Sequence, residues 1–253
     1  MTMIQKSGST GESMNRAVSL GKRQLHYELL SAGSGLVLAL FMFGHTFLVG
    51  SILVGAQAFD WVALTLEIYF VAQPTVVVIL VLFLVHAFYA GRKIPAELRR
   101  RRRMIRLAKG LAASGHGTAA KRHDESILWI WQVRTGLVIL ILGAFHIGLI
   151  SLDVLTPIFG DRVGIEAATT LARERAGLWL PYAILTICIS FHTAVGLYRL
   201  AIKWGAGSRL SRPALRNIER LILWLMLGLG ALTLLVMAGL IAPPLADFAG
   251  GGS

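Results

Sequence analysis

The chain has 253 residues, 55% hydrophobic and 15% charged, and carries a formal net charge of +12 at neutral pH. An average globular domain is about 45–50% apolar and about 25% charged, so one water-soluble core cannot absorb this apolar excess. The basic balance suits either nucleic acid or an anionic membrane surface, and its distribution along the chain decides between them.

The first 28 residues are polar, with Lys22 and Arg23 ahead of the first apolar run. They show no short apolar core followed by an Ala-x-Ala site, so no removable signal peptide is expected. Uncharged runs then occupy 29–59, 68–91, 135–152, 176–198 and 221–246, and about 20 apolar residues suffice to cross the hydrocarbon as a helix. This predicts an all-α membrane protein with five transmembrane helices: I at 29–56, II at 67–92, III at 127–152, IV at 177–203 and V at 219–243. Together they form one domain over 29–246, with 1–28 cytoplasmic and 247–253 an outer tail. Helix III has the shortest clean run and begins upstream, near Ser126, where Trp129 and Trp131 suit an interfacial aromatic belt. Residues 94–109 read either as an extension of helix II or as a basic amphipathic helix, and 164–175 can form a helix on the outer membrane surface.

Of the 25 Lys and Arg, 4 precede helix I, 11 lie in 92–122, 6 lie between Arg199 and Arg220, and Arg134 sits inside helix III. Only Arg162, Arg173 and Arg175 remain for the other side, a split of 21 to 3. That asymmetry orients the N-terminus towards the cytoplasm and the C-terminus outwards, as expected for a bacterial inner-membrane protein. Arg99-Arg-Arg-Arg-Arg103 then serves as an orientation signal and an anionic-lipid contact, with no nucleic-acid partner. The single Cys188 excludes an intramolecular disulfide, an iron–sulfur cluster held by this chain alone, and covalent haem attachment through Cys-x-x-Cys-His.

Three of the seven histidines, His26, His116 and His123, fall in interfacial or loop positions. His45, His86, His146 and His192 fall one in each of helices I to IV. A single intramembrane imidazole often just hydrogen-bonds a neighbouring helix; four, one per helix, point to a site, since such residues are costly at that depth. Counting from the charged boundaries gives their depths. His45 is 17 residues past Glu28 and His146 is 21 past Glu125, roughly 25 and 31 Å along the axis. His86 lies 6 residues before Arg92 and His192 lies 7 before Arg199, roughly 9–10 Å from the inner edge. His86 and His192 therefore share an inner level, and His45 and His146 an outer one.

Two opposed imidazoles complete a six-coordinate iron when a porphyrin supplies four equatorial nitrogens, whereas zinc needs further protein or water ligands. The residues thus predict two bis-histidine haems b, stacked across the bilayer and built for electron transfer. Gly44, Gly143 and Gly136 would let a flat macrocycle approach the backbone, or would simply allow close helix packing. Ser31, Ala32, Gly33 and Gly35 are open to both readings. Haem propionates need polar donors: Lys203, 11 residues after His192 and about 20° off its face, Trp129 and Ser31 are candidates at the inner edge. Glu67, expected to open helix II on the outer side, either exchanges protons with a quinone or stabilises a helix N-terminus.

Three segments carry a family resemblance: Phe191-His-Thr-Ala-Val-Gly-Leu-Tyr-Arg-Leu-Ala-Ile-Lys-Trp-Gly205; Trp129-Ile-Trp-Gln-Val-Arg-Thr-Gly136 leading to Gly143-Ala-Phe-His146; and Leu40-Phe-Met-Phe-Gly-His45. They closely resemble the dihaem cytochrome b subunit of quinol:fumarate reductases and succinate:quinone reductases, from about Ser31 to Gly205. The resemblance implies a five-helix anchor with two haems b and a menaquinone site, bound on its cytoplasmic face to an iron–sulfur subunit and an FAD-bearing subunit. It implies His45 and His146 as outer-haem ligands and His86 and His192 as inner-haem ligands. Lys203, Trp129 and Ser31 match inner-haem propionate contacts, and Glu67 matches a carboxylate lining the quinone cavity. In some members a glutamate two residues before the helix IV histidine is proposed to relay protons; Ser190 stands there and cannot take that ionised role.

The expected function is therefore the membrane anchor and electron conduit of a fumarate reductase or succinate dehydrogenase complex. Alternatives are the cytochrome b anchor of a nitrate reductase or hydrogenase, where two haem ligands can share one helix, and a histidine-based metal or proton transporter, which would be colourless.

Overall fold

Apolar runs set where the chain crosses, and breakers set where each helix stops. In the computed structural model, which describes residues 5–114, 124–155 and 166–249, the first helix is α1, Gln5–Gly50. His116 and His123 lie outside the described residues. At 46 residues α1 is about 69 Å long, and it begins well before position 29. Apolarity marks only the part of a helix inside the bilayer, and no proline interrupts the polar residues ahead of it. A 3₁₀ turn at Ser51–Leu53 and Gly55, at φ 137°, end the run.

The segment after Gly55 departs from expectation. It forms a separate helix, α2, Ala56–Ile68, followed by a turn in which Phe70 takes φ 56° and then by α3, Ala72–Gly91. Helix II thus starts at 72 instead of 67. Pro74 gives the reason: in a continuous helix its ring would strike the carbonyl of residue 70, whereas the first turn of a new helix tolerates it. After α3, Arg92 and Lys93 keep right-handed helical backbone, and Pro95 introduces α4, Ile94–Ala113. The basic stretch is therefore a second helix continuing from helix II across a proline junction. Met104, Ile105, Leu107 and Leu111 are exposed on it among its arginines.

Helix III is α5, Asp124–Leu155. On the outer side, α6, Ala167–Arg173, runs through a π-helical turn at Glu174–Leu178, where Gly177 takes φ 104°, into α7, Trp179–Lys203. Helix V is α8, Arg212–Met237, seven residues earlier than 219 at its start, because Ser211 accepts the Ala214 N–H and Pro213 occupies the first turn. A short α9, Ala246–Ala249, follows. Among the described residues five helical runs are long and apolar enough to span a bilayer: Gly21–Leu53, Pro74–Ala113, Ser126–Leu152, Ala167–Lys203 and Arg212–Met237. The chain is an all-α, multi-pass membrane protein, and exposed side chains such as Ile141, Leu221 and Trp224 face lipid instead of forming a core.

Packing divides the helices into two pairs. α1 lies along α3, and α5 lies along α7, which is backed in turn by α8. Contact between the pairs runs mainly between α1 and α7, while α5 packs closely along neither α1 nor α3. At the outer end Ile52, Leu53, Ala167, Val236 and Met237 form a buried cluster, Leu245 N–H bonds the Leu53 carbonyl at 3.0 Å, and the Asp60 carboxylate accepts the Ala167 N–H at 2.6 Å, joining α2 to α6.

Candidate functional site

The four intramembrane histidines, one from each of α1, α3, α5 and α7, meet in two pairs between the helix pairs. His45 on α1 faces His146 on α5 with ring centroids 6.2 Å apart and planes at 68°. His86 on α3 faces His192 on α7 with centroids 6.3 Å apart and planes at 90°. Each pair therefore spans the gap between the two helix pairs.

The spacing has a chemical meaning. A metal–imidazole bond is about 2.0 Å and the ring centre lies about 1.1 Å behind its nitrogen, so two imidazoles on opposite sides of one metal ion have centroids roughly 6.2 Å apart. Both levels match that arithmetic. Among the described residues no group of three His, Cys, Asp or Glu side chains is placed to hold a metal. A metal at either level would thus be held by two imidazole nitrogens of the protein, its other donors coming from a further group such as a macrocycle.

The inner imidazoles are held by hydrogen bonds. His86 Nδ1 lies 3.1 Å from the Ser31 carbonyl and 3.4 Å from the Ser34 hydroxyl. His192 Nδ1 lies 2.9 Å from the Gln132 carbonyl and 3.5 Å from the Thr135 hydroxyl. A carbonyl only accepts, so each Nδ1 carries the proton and each Nε2 presents its lone pair, the tautomer a metal ligand needs. Glycines permit this approach: a Cβ at Gly35 would stand 2.7 Å from His86 Cε1, and one at Gly136 would stand 2.9 Å from His192 Cε1.

The outer imidazoles rest on aromatic rings. His45 stacks on Phe41 at 5.5 Å and 22°, and His146 meets the edge of Tyr182 at 5.1 Å and 83°. His146 Nδ1 is buried and has no hydrogen-bond partner among the described residues. Of the glycines expected near this level, Gly44 has open space where its Cβ would be, and Gly143 would make only ordinary contact with Phe83 at 3.6 Å. The close approaches are at Gly35 and Gly136.

At the edge of the bundle nearer the His86–His192 level, Lys203 pairs with Glu28, and the same carboxylate holds Lys93 at 2.9 Å. Glu28 ties α1 to α7 and to the start of α4, a connection that sequence reading missed. The only signal was a lone carboxylate among basic residues at the inner boundary. Ser31 contributes its carbonyl to His86, and Trp129, one turn into α5, is half-buried. The structure corrects the reading of Glu67. It sits exposed in the last turn of α2, before the turn into α3, and so opens no helix. A carboxylate there meets the negative end of the helix dipole, which removes the N-terminal role. Ser190 is buried and donates to the Thr186 carbonyl of its own helix at 2.8 Å.

Comparison with known proteins bears on these features. The family described as succinate dehydrogenase/fumarate reductase transmembrane subunit matches residues 108–240. The fumarate reductase cytochrome b subunit of Wolinella succinogenes is 30% identical over 214 residues, 80% of this chain and 77% of that protein. The fumarate reductase cytochrome b subunit of Helicobacter pylori strain J99 is 32% identical over 201 residues, 76% of this chain and 72% of that protein. With more than half its length matched and relatives of this likeness across most of it, the chain belongs to the succinate dehydrogenase/fumarate reductase transmembrane subunits, as a cytochrome b membrane anchor.

Proposed function

We propose that the chain is a dihaem anchor that passes electrons between a membrane quinone, menaquinol or menaquinone, and an iron–sulfur subunit docked on its cytoplasmic face. The observation that carries this reading is the pair of facing imidazoles at each of two levels, spaced at 6.2 and 6.3 Å for one metal ion each. His45 and His146 would hold the outer haem b, and His86 and His192 the inner one. Haem b supplies a reversible one-electron couple when bound. The protein's part would be to fix two imidazole nitrogens at each site, to exclude water with apolar helices, and to set the two sites one above the other.

Lys203, Trp129 and the Ser31 hydroxyl would serve the inner propionates, with Lys203 exchanging its bond to Glu28 for one to a propionate. Glu67, exposed at the outer end of α2, would take up protons released by quinol oxidation, which yields two electrons and two protons per quinol. Dicarboxylate chemistry and FAD would belong to a flavoprotein partner; that the relatives are cytochrome b subunits of fumarate reductases supports placing this chemistry on another chain. The 21-to-3 distribution of basic residues supports a cytoplasmic N-terminus in a bacterial inner membrane.

The test is the composition of the complex purified through this chain. Two haems b per chain are expected, together with a flavoprotein and an iron–sulfur subunit. One haem or none, or a molybdenum or nickel–iron partner, would overturn the reading. For the quinone role, Glu67→Gln is expected to cut quinol oxidation at least tenfold while leaving both haems reducible by dithionite; unchanged turnover would remove Glu67 from the site.

A further inference from the structure

The two inner histidines come from different helices and lean on different helices, yet their supports follow one pattern. On α1 the pattern is a carbonyl at Ser31, a hydroxyl three residues on at Ser34, and Gly35 next to it. On α5 it is a carbonyl at Gln132, a hydroxyl three residues on at Thr135, and Gly136 next to it. Three and four residues along a helix fall on one face, so carbonyl, hydroxyl and bare Cα form one patch against which an imidazole edge lies flat.

The hydroxyl hydrogens go to carbonyls of their own helix: Ser34 Oγ–H to Leu30 at 2.6 Å or Ser31 at 3.3 Å, and Thr135 Oγ–H to Trp131 at 2.8 Å or Gln132 at 3.1 Å. Each oxygen thus has a lone pair free to face Nδ1–H from 3.4 or 3.5 Å, beside the stronger carbonyl acceptor. The outer level has no counterpart among the described residues, since His146 Nδ1 lacks a partner there and neither Gly44 nor Gly143 underlies an imidazole.

We propose that Ser34 and Thr135 are positioning residues of the inner site: with the Ser31 and Gln132 carbonyls and Gly35 and Gly136, they fix the tautomer and rotation of His86 and His192 and strengthen them as electron donors to a bound iron. This inference rests on the dihaem reading above. A ligating imidazole whose second nitrogen donates a hydrogen bond is a more basic ligand, and a stronger donor stabilises the oxidised ion. Removing one acceptor therefore makes the inner centre easier to reduce and leaves the outer one alone.

The experiment is a redox titration of the whole purified complex, followed optically and by low-temperature electron paramagnetic resonance. It compares the unmodified chain with Ser34→Ala, Thr135→Val, the double variant, and the conservative Ser34→Thr and Thr135→Ser. His45→Ala marks which component is the outer one. Expected are full haem content, an upward shift of the inner midpoint in each deletion variant and a larger one in the double variant, a changed low-spin signal for that component only, and recovery in the hydroxyl-keeping variants. Unmoved midpoints, or a shift confined to the outer component, overturn the proposal. A chain with fewer than two haems overturns the functional reading instead. The inference is then decided on ¹⁵N-histidine-labelled protein, where solid-state magnetic resonance must find His86 and His192 as single Nδ1–H tautomers whose Nδ1 resonances shift in Ser34→Ala and Thr135→Val respectively, and unshifted resonances overturn it.

Discussion

At the inner level each imidazole leans on the backbone of a neighbouring helix; at the outer level each leans on an aromatic ring. The spacing comes out the same, 6.3 Å inside and 6.2 Å outside, so geometry alone does not reveal which support is present. A hydrogen-bonded support is directional and depends on close approach, so one added methyl group defeats it. Ring packing tolerates a range of tilts, as the 22° and 83° contacts of the outer pair illustrate.

The largest expected effect separates the two levels outright. His86→Ala or His192→Ala should each abolish the same spectral component, and His45→Ala or His146→Ala the other, in reduced-minus-oxidised spectra of the purified complex. Loss of one shared component from His86→Ala and His45→Ala would destroy the comparison. Next comes the test of close approach. Gly35→Ala and Gly136→Ala place a methyl 2.7 and 2.9 Å from a ring carbon, and each is expected to lower inner haem content by more than half in a haem assay. Gly44→Ala enters open space and should leave both haems in place.

Smaller effects probe the ends of the molecule. Asp60→Ala removes the side chain that accepts the Ala167 N–H; a loss of about 1 kcal/mol, typical of a helix cap, should lower the thermal midpoint in detergent and loosen the outer level first. Glu28→Gln breaks the shared pairing with Lys93 and Lys203 at the inner edge. Pairs with this much exposure contribute under about 1 kcal/mol, so the expected change in thermal midpoint is the smallest of the series, and it should vanish in high salt.

The pairing of the rings was legible in the sequence because straight helices turn residue counts into depth. His45, 17 residues past Glu28, and His146, 21 past Glu125, needed no side-chain detail to be set on one level. What residue counting cannot supply is rotation about the axis and partners far away in the chain. Gly44 adjoins His45 in sequence, yet on α1 the glycine that meets an imidazole is Gly35, against a ring 51 positions later. Lys203 pairs with Glu28, a partner 175 positions away. The separate helix α2 was hidden because 29–59 carries no charge, and only Pro74 hinted that Glu67 could not begin the next helix.

Helix α8 contributes no histidine, yet it backs α7, which carries one imidazole and the ring that touches another. At Gly230 a methyl group would stand 2.6 Å from Thr186 Cγ2, so the two axes come together only because that contour is bare. Thr186 lies between Tyr182, against His146, and His192. A helix that carries none of the four imidazoles thereby bears on both facing pairs, and thickening it by a single carbon would press on each from behind.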